Sequence, residues 1–259
     1  MKQILLIILI VSLFISCKKD KEDTSHIIQT KPTYFTFNGV IGGNDNSTLV
    51  SSDDNIVICG NYNNNICILK ICKAGNQIWR KDINSGYGSE SSAIIESSDH
   101  NFFICGNTLK NQFISRSDIL LIKTNSDGDT LWTKVYGGIK DDYGSQILIS
   151  TDGNIVICGF SYSYTPDSYC DIYLIKVNIN GDTLWTKTYF DEGQQIPSHF
   201  MQTQNGEYLV TGTNDGFDFS SNDLYLLKID ANGNKIWDKK NRAHMGKNGF
   251  SALELAKGD

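Results

Sequence analysis

The 259-residue chain carries 23 Lys and Arg against 29 Asp and Glu, a formal charge of −6, with 40% hydrophobic and 11% aromatic residues. That is enough apolar side chain for a real core and too little charge for a disordered chain; the length allows one large all-β domain or two small ones. Three prolines exclude a collagen-like or proline-rich protein. The acidic balance speaks against a nucleic-acid partner, because phosphate binding needs clustered Lys and Arg.

Residues 1–17 read as an address. Lys2 precedes a charge-free, apolar stretch from Ile4 to Ile15, shorter than the roughly 20 residues a membrane-crossing helix needs. A positive start, a short apolar run and a small residue before Cys17 make the layout of a secretory signal. Phe14-Ile15-Ser16-Cys17 resembles a bacterial lipobox, with Phe14 where Leu is usual. The resemblance implies that Cys17 becomes lipid-modified and is the first mature residue. An ordinary signal peptide with an incidental cysteine is the alternative. Residues 18–33 show no hydrophobic periodicity and read as a flexible tether. Within them Lys21-Glu22-Asp23 resembles the export signal of surface lipoproteins in the Bacteroidota. It implies an outer-membrane, lipid-anchored chain displayed at the cell surface, with the periplasmic face as the alternative.

From residue 34 onward the sequence is repetitive. Trp79, Trp132, Trp185 and Trp237 fall 53, 53 and 52 residues apart, each just after a Gly-containing turn. Before each turn lies an apolar run ending in Lys: Ile66–Lys70, Ile119–Lys123, Ile172–Lys176 and Leu224–Lys228. Further upstream another run ends in Gly: Ile56–Gly60, Phe102–Gly106, Ile155–Gly159 and Tyr208–Gly212. A first run precedes each: Thr48–Ser52, Ala93–Ser97, Gln146–Ser150 and His199–Thr203. Four markers recurring in four copies define a unit of four strands, with Asn-Gly and Asp-Gly pairs supplying the positive φ of tight hairpins. Val, Ile, Tyr and Thr fill the strands, and runs such as Asp171–Val177 are apolar on both faces, as in sheets covered on both sides. Four-stranded units repeated radially predict an all-β chain over residues 34–259, a β-propeller of antiparallel four-stranded blades. A β-prism or sandwich is the runner-up.

Gly128-Asp129-Thr130-Leu131-Trp132 and Gly181-Asp182-Thr183-Leu184-Trp185 resemble the docking motif of quinoprotein-type, PQQ-like propeller repeats. The resemblance implies that Trp79, Trp132, Trp185 and Trp237 dock neighbouring blades, each indole burying a large apolar area. Tyr34–Phe37 looks like a last strand and Phe250–Ala256 aligns with a first strand, so four blades plus a partial fifth, closed by pairing the two or cut from a longer array, are expected.

Seven cysteines in an exported chain raise the question of disulfides. Cys59, Cys105 and Cys158 occupy one repeat position, with Thr211 in the fourth copy, so they read as small buried residues of separate interfaces. Cys67, Cys72 and Cys170 have no C-x-x-C spacing, and no metal site is expected. His26, His100, His199 and His244 have no companions at ligand spacing. Asp118, Asp171 and Asp223, with Asn65 in register, recur before the Lys-ended strands and read as Asp–Lys pairs that cap strands and bridge blades. Asp127-Gly128-Asp129 and Asp230–Asn234 carry oxygens enough for calcium, yet each is also a hairpin turn. Asp53-x-Asn55-x-Val57 and Asp152-x-Asn154-x-Val156 resemble part of the bulb-type lectin core, with Ser51 or Ser150 in place of its Gln and Cys59 or Cys158 in place of its Tyr.

No nucleophile elbow, phosphate loop or dinucleotide fingerprint is present, and no cofactor is expected. The expected function is a non-catalytic, membrane-anchored binding module for a glycan or a surface protein, served by loops rich in Tyr, Asn and Ser such as 161–169 and 215–222. The alternatives are a glycan-active or quinone-dependent propeller enzyme, or an outer-membrane assembly scaffold. For glycan cleavage the candidate carboxylates are Asp141, Asp142, Asp191 and Glu192.

Overall fold

The computed structural model describes residues 41–42, 47–85, 87–111, 114–166, 169–215 and 222–241. Cys17, the tether 18–33, Tyr34–Phe37, Phe250–Ala256, His26 and His244 lie outside these residues, as does most of the loop 215–222. The described residues form strands and turns only, with no helix long and apolar enough to cross a membrane.

The strands group into four antiparallel sheets in chain order, and each sheet is one sequence repeat. Blade 1 holds β1 (Ile41–Gly42), β2 (Thr48–Val50), β3 (Ile56–Tyr62), β4 (Asn65–Ile71) and β5 (Gln77–Ile83). Blade 2 holds β6 (Tyr87–Glu96), β7 (Phe102–Asn111), β8 (Ile114–Thr124) and β9 (Thr130–Tyr136). Blade 3 holds β10 (Asp142–Ile149), β11 (Ile155–Ser161), β12 (Asp171–Val177) and β13 (Thr183–Tyr189). Blade 4 holds β14 (Gln194–Gln202), β15 (Tyr208–Asp215), β16 (Asn222–Ile229) and β17 (Lys235–Asn241).

The first strand of each blade is irregular for a reason visible in the sequence. Its register slips between Ser91 and Ala93 in β6, Gly144 and Gln146 in β10, and Pro197 and His199 in β14. In blade 1 the same strand comes in two pieces, β1 on Gly60–Asn61 and β2 on Ile56–Ile58. The slip pushes a carbonyl against the facing strand, where only glycine leaves room. A Cβ on Gly106, Gly159 or Gly212 would lie 2.0, 1.8 or 2.2 Å from the carbonyl oxygen of Glu90, Tyr143 or Ile196. The Gly marker of the repeat is thus the seat of a β-bulge.

Alternate residues of the middle strands face opposite neighbours, so each blade contributes to two cores. Val57, Cys59, Ile66 and Ile68 of blade 1 meet Ile94, Phe102, Ile104, Leu120 and Ile122 of blade 2. Phe103, Cys105, Ile119 and Leu121 of blade 2 meet Ile155, Ile157, Tyr173 and Ile175 of blade 3. Val156, Cys158, Ile172 and Leu174 of blade 3 meet Phe200, Tyr208, Val210, Tyr225 and Leu227 of blade 4. Burying each such aliphatic or aromatic side chain contributes about 1.5–3 kcal/mol, and this recurrent apolar packing holds the blades face to face. Cys59, Cys105 and Cys158 fall in three different cores, and all six cysteines of the described residues are free thiols.

Candidate functional site

The blades have two ends. One carries the first–second and third–fourth strand hairpins; the other carries the second–third loops and the connections to the next blade. Most residues singled out by the repeats lie at the hairpin end. There Gly128, Gly181 and Gly233 adopt φ near +80° and lie under the indole of the preceding blade. A Cβ at these positions would come 2.9 Å from Trp79 Cη2, 3.0 Å from Trp132 Cη2 and 3.2 Å from Trp185 Cη2. Two residues past each Trp a lysine reaches the residue after the same glycine: Lys81 to Asp129 at 2.6 Å, Lys134 to Asp182 at 3.7 Å, Lys187 to Asn234 at 3.5 Å. Two residues further, Tyr136 and Tyr189 donate their hydroxyls to the Gly181 and Gly233 carbonyls at 2.7 and 2.8 Å. Trp237 differs: it is 36% exposed.

The turns weighed for calcium are tied down by their own side chains. Asn125 Oδ1 accepts from the Asp127 and Asp129 amides, and Asp230 Oδ1 accepts from those of Asn232 and Asn234. Among the described residues no group of three or more His, Cys, Asp or Glu is arranged to hold a metal.

The lectin-like segments lie at this end too. Asp53 is ion-paired to Lys70 at 2.7 Å and accepts from Ser51 Oγ at 2.6 Å, while Asp152 does the same with Lys176 at 2.7 Å and with Ser150 Oγ. Burial raises both carboxyls, but the bonds from Lys and Ser outweigh it and hold them well below the usual carboxylate range. Lys123 and Lys228 make the equivalent pairs with Asp99 at 3.6 Å and Glu207 at 2.6 Å. These contacts correct one expectation. The recurring lysines pair with hairpin acids, not with Asp118, Asp171 and Asp223, which sit at the far end of the same strands.

At the loop end those three aspartates are buried, Asp118 and Asp171 against the connection to the next blade. A Cβ on Gly137 would lie 2.3 Å from Asp118 Oδ1, and Asp171 Oδ1 accepts from the Asp191 amide at 3.4 Å. The carboxylates considered for glycan cleavage also hold loops. Asp141 accepts from the Ser117 amide at 2.8 Å; Asp142, fully buried, accepts from the Gly138 amide at 2.6 Å and from Ser163 Oγ at 2.7 Å. Asp191 is ion-paired to Lys240 at 2.7 Å, and Glu192 is exposed. His100 occupies a left-handed turn position beside Ser52, at the other end of the blades from these acids.

A cleft of about 830 Å³ opens at the loop end of blades 1 to 3. Among the described residues it is lined by four asparagines, Asn61, Asn63, Asn64 and Asn107, with Ser89, Ser117, Tyr62, Tyr143 and Leu109 and one acid, Glu90. Asn63 and Asn64 form a two-residue turn between β3 and β4 with φ of 49° and 62°, the left-handed pair that Asn tolerates best after Gly. Asn61 and Asn107 are staples. The Asn61 carbonyl accepts from the Ser91 amide and Asn107's from the Gly144 amide, both at 2.8 Å, which orients each side chain and leaves its NH₂ as the donor it can offer the cleft. Tyr62 lies under the Arg80 guanidinium at 4.4 Å, and Tyr143 stacks on Phe160 at 4.9 Å. None of these residues stands out as a sequence motif. The one signal is Cys-Gly-Asn in the first two repeats, where the third and fourth have Gly159-Phe160 and Gly212-Thr213.

No protein-family model matches the chain, and no curated protein does. Solved structures do. A protein of unknown function from Dyadobacter fermentans is 12% identical with a TM-score of 0.55, over 78% of this chain and 71% of that one. The GH93 α-L-arabinofuranosidase of Fusarium graminearum, solved with arabinobiose, is 11% identical with a TM-score of 0.50, over 79% and 69%. The fold is a β-propeller. A protein of unknown function from Bacteroides caccae is also similar, at 14% identity over 78% and 84% with a TM-score of 0.33. At such identities the likeness speaks of blade architecture alone.

Proposed function

We propose that this propeller is a non-catalytic binding module whose ligand is a glycan, seated in the cleft between the loop ends of blades 1 to 3. The observation that carries the reading is the lining, which among the described residues is four asparagines, two serines, two tyrosines, Leu109 and a single acid around about 830 Å³. Amides and hydroxyls both donate and accept, which matches the paired donor–acceptor character of sugar hydroxyls, and a site of this size lies within the usual range for small ligands. A phosphate or carboxylate ligand would instead call for Arg or Lys in the lining. Asp141 and Asp142, two of the four carboxylates considered for cleavage, are engaged in holding loop backbone, which supports binding over turnover. The quinoprotein-type likeness is read as architecture, since Trp79, Trp132 and Trp185 pack against neighbouring turns. The lectin-like Asp53 and Asp152 are read as hairpin anchors held by Lys70 and Lys176.

The same proposal tethers the module to the outer membrane through lipid on Cys17, facing the cell surface. Labelling with a fatty-acid probe that is lost in Cys17→Ser, together with surface proteolysis of whole cells, tests this.

For the cleft the discriminating variant is Asn63→Gly with Asn64→Gly, which keeps the left-handed turn and deletes two amides. A glycan array followed by calorimetry on the hits should show affinity falling at least about tenfold with thermal stability unchanged. No glycan hit, or hits that ignore the double variant, would sink the reading. Capture of a surface protein with the array silent would favour a protein ligand.

A further inference from the structure

Glu90 is the one acid of the described cleft lining, and the fold does not require an acid there. It stands just before the bulge of β6, where Tyr143 and Ile196 hold the same place in β10 and β14. The hairpin acids Asp53, Asp99, Asp152 and Glu207 are each ion-paired to a lysine. Glu90 is exposed, and among the described residues its carboxylate enters no ion pair or hydrogen bond. No Lys or Arg belongs to the described lining. Two arginines beside it are engaged elsewhere. Arg80, lying on Tyr62, pairs with Asp82 at 3.0 Å, and Arg116, next to Ser117 in the chain, donates to the Ile139 carbonyl.

Glu90 is paired with Asn107 across β6 and β7, so the two side chains leave the same side of the sheet, about 5 Å apart at Cβ. Asn107 Oδ1 is committed to the Gly144 amide, which leaves its NH₂. A carboxylate only accepts and an NH₂ only donates. A hydroxyl satisfies both, whereas an ammonium has no lone pair for the amide and an anionic carboxylate has no hydrogen for Glu90. Covering Glu90 with a group that gives it no hydrogen bond costs the desolvation of a charge. Asn61 holds the Asn107 position one blade earlier, and facing sheets lie about 10 Å apart, so a ligand that reaches both is longer than one sugar ring. We propose that Glu90 is the specificity-determining residue of the cleft and selects an uncharged oligosaccharide. Adjacent hydroxyls of one unit donate to Glu90 while that unit accepts from Asn107, and the next unit extends to Asn61. The assignment rests on the reading of the cleft as a glycan site.

Calorimetry with cello-, xylo- and manno-oligosaccharides, oligogalacturonate, and chitosan oligomers in their ammonium form tests the assignment. It compares wild type, Glu90→Gln and the double variant Asn63→Gly with Asn64→Gly. Wild type should bind an uncharged oligosaccharide at least about tenfold more tightly than oligogalacturonate, the chitosan oligomers or the matching monosaccharide. Glu90→Gln should weaken that oligosaccharide at least about tenfold and narrow its margin over oligogalacturonate, with melting temperature unchanged. An uncharged oligosaccharide that the double variant weakens and Glu90→Gln does not would overturn the role of Glu90 and leave the cleft reading standing. Chitosan oligomers bound best by wild type would give Glu90 to an ammonium and overturn the hydroxyl assignment. If nothing binds, or neither variant weakens any member of the panel, both readings fall.

Discussion

At the hairpin end of the blades one set of contacts occurs three times, an indole over a left-handed glycine and a lysine on the next residue, from Trp79–Gly128 to Trp185–Gly233. At the loop end no contact runs through all three interfaces. Asn61 and Asn107 staple the first two, while Phe160 and Thr213 hold those positions in blades 3 and 4. Likewise Ser89 becomes Asp142 and then Gln195, each with different partners. The repetition marks where blades must adhere, because every interface poses the same packing problem. The variation marks where the surface is free to differ, and the cleft lies there.

The sharpest break of the repeated framework should come from the bulge glycines. Gly159→Ala puts a methyl 1.8 Å from the Tyr143 carbonyl oxygen, so backbone on both strands must move. Urea unfolding should show a loss of at least about 3 kcal/mol. A loss under about 1 kcal/mol would mean that the bulge relaxes freely and that the glycine is not structurally required.

Next in size is the indole clamp, and here the molecule contains its own control. Trp132 is partly buried over Gly181 and edge-on to Phe103 at 5.8 Å, so Trp132→Ala should cost about 3 kcal/mol. Trp237 has no described turn above it and is 36% exposed, so Trp237→Ala should cost less than about 1 kcal/mol. Equal losses for the two would show that the indoles act within their own blade rather than across the interface.

Much of this is legible in the sequence. The strand order, the blade limits and the buried thiols at Cys59, Cys105 and Cys158 follow from recurrence, because a residue type that returns at one position in several copies answers one local constraint. The loop end was not readable for the converse reason. Asn107 acts through the Gly144 amide 37 residues away, and Asn63 and Asn64 matter because their turn faces the neighbouring blade; neither relation leaves a period in the sequence. The Asp–Lys pairs show recurrence misread: the Asp171 and Lys176 positions return as Asp and Lys in three of the four copies, but an extended strand separates them, and Lys176 finds Asp152 across the hairpin.

That pair gives a prediction in pH. Burial pulls Lys176 down, but its bonds to Asp152 and to the Tyr208 hydroxyl outweigh this and raise it, while Asp152 is held low. A depressed carboxyl stabilises the fold fully above its unfolded pKa, near 3.9, and loses that contribution as pH falls towards its folded value. Lys176→Met should therefore be less stable than wild type by about 1–2 kcal/mol at pH 7, with the gap narrowing below about pH 3.9. Carbon-detected NMR of the Asp152 carboxyl should show its titration moving up towards the ordinary range. A gap independent of pH would mean that Lys176 contributes by packing alone.

The smallest effect should come from the contact that recurs most visibly. Lys81 and Asp129 meet at 2.6 Å between blades 1 and 2, yet both side chains are well exposed, at 36% and 58%. Water screens such a pair, and ordering two long side chains offsets most of the attraction, so Lys81→Ala should cost no more than about 0.5 kcal/mol. The methylenes set the more interesting limit. Lys81 Cγ would lie 2.9 Å from a Cβ on Gly128, as close as the Trp79 ring, so the stem covers the turn whether or not the ammonium finds an acid. Lys81→Met keeps the stem and should match wild type at any salt concentration, and Lys81→Ala should lose the same small amount in low and high salt. A loss that vanishes in high salt would instead give the charge pair the adhesive role, and the Asn234 partner of Lys187 would then make the third interface the weakest of the three.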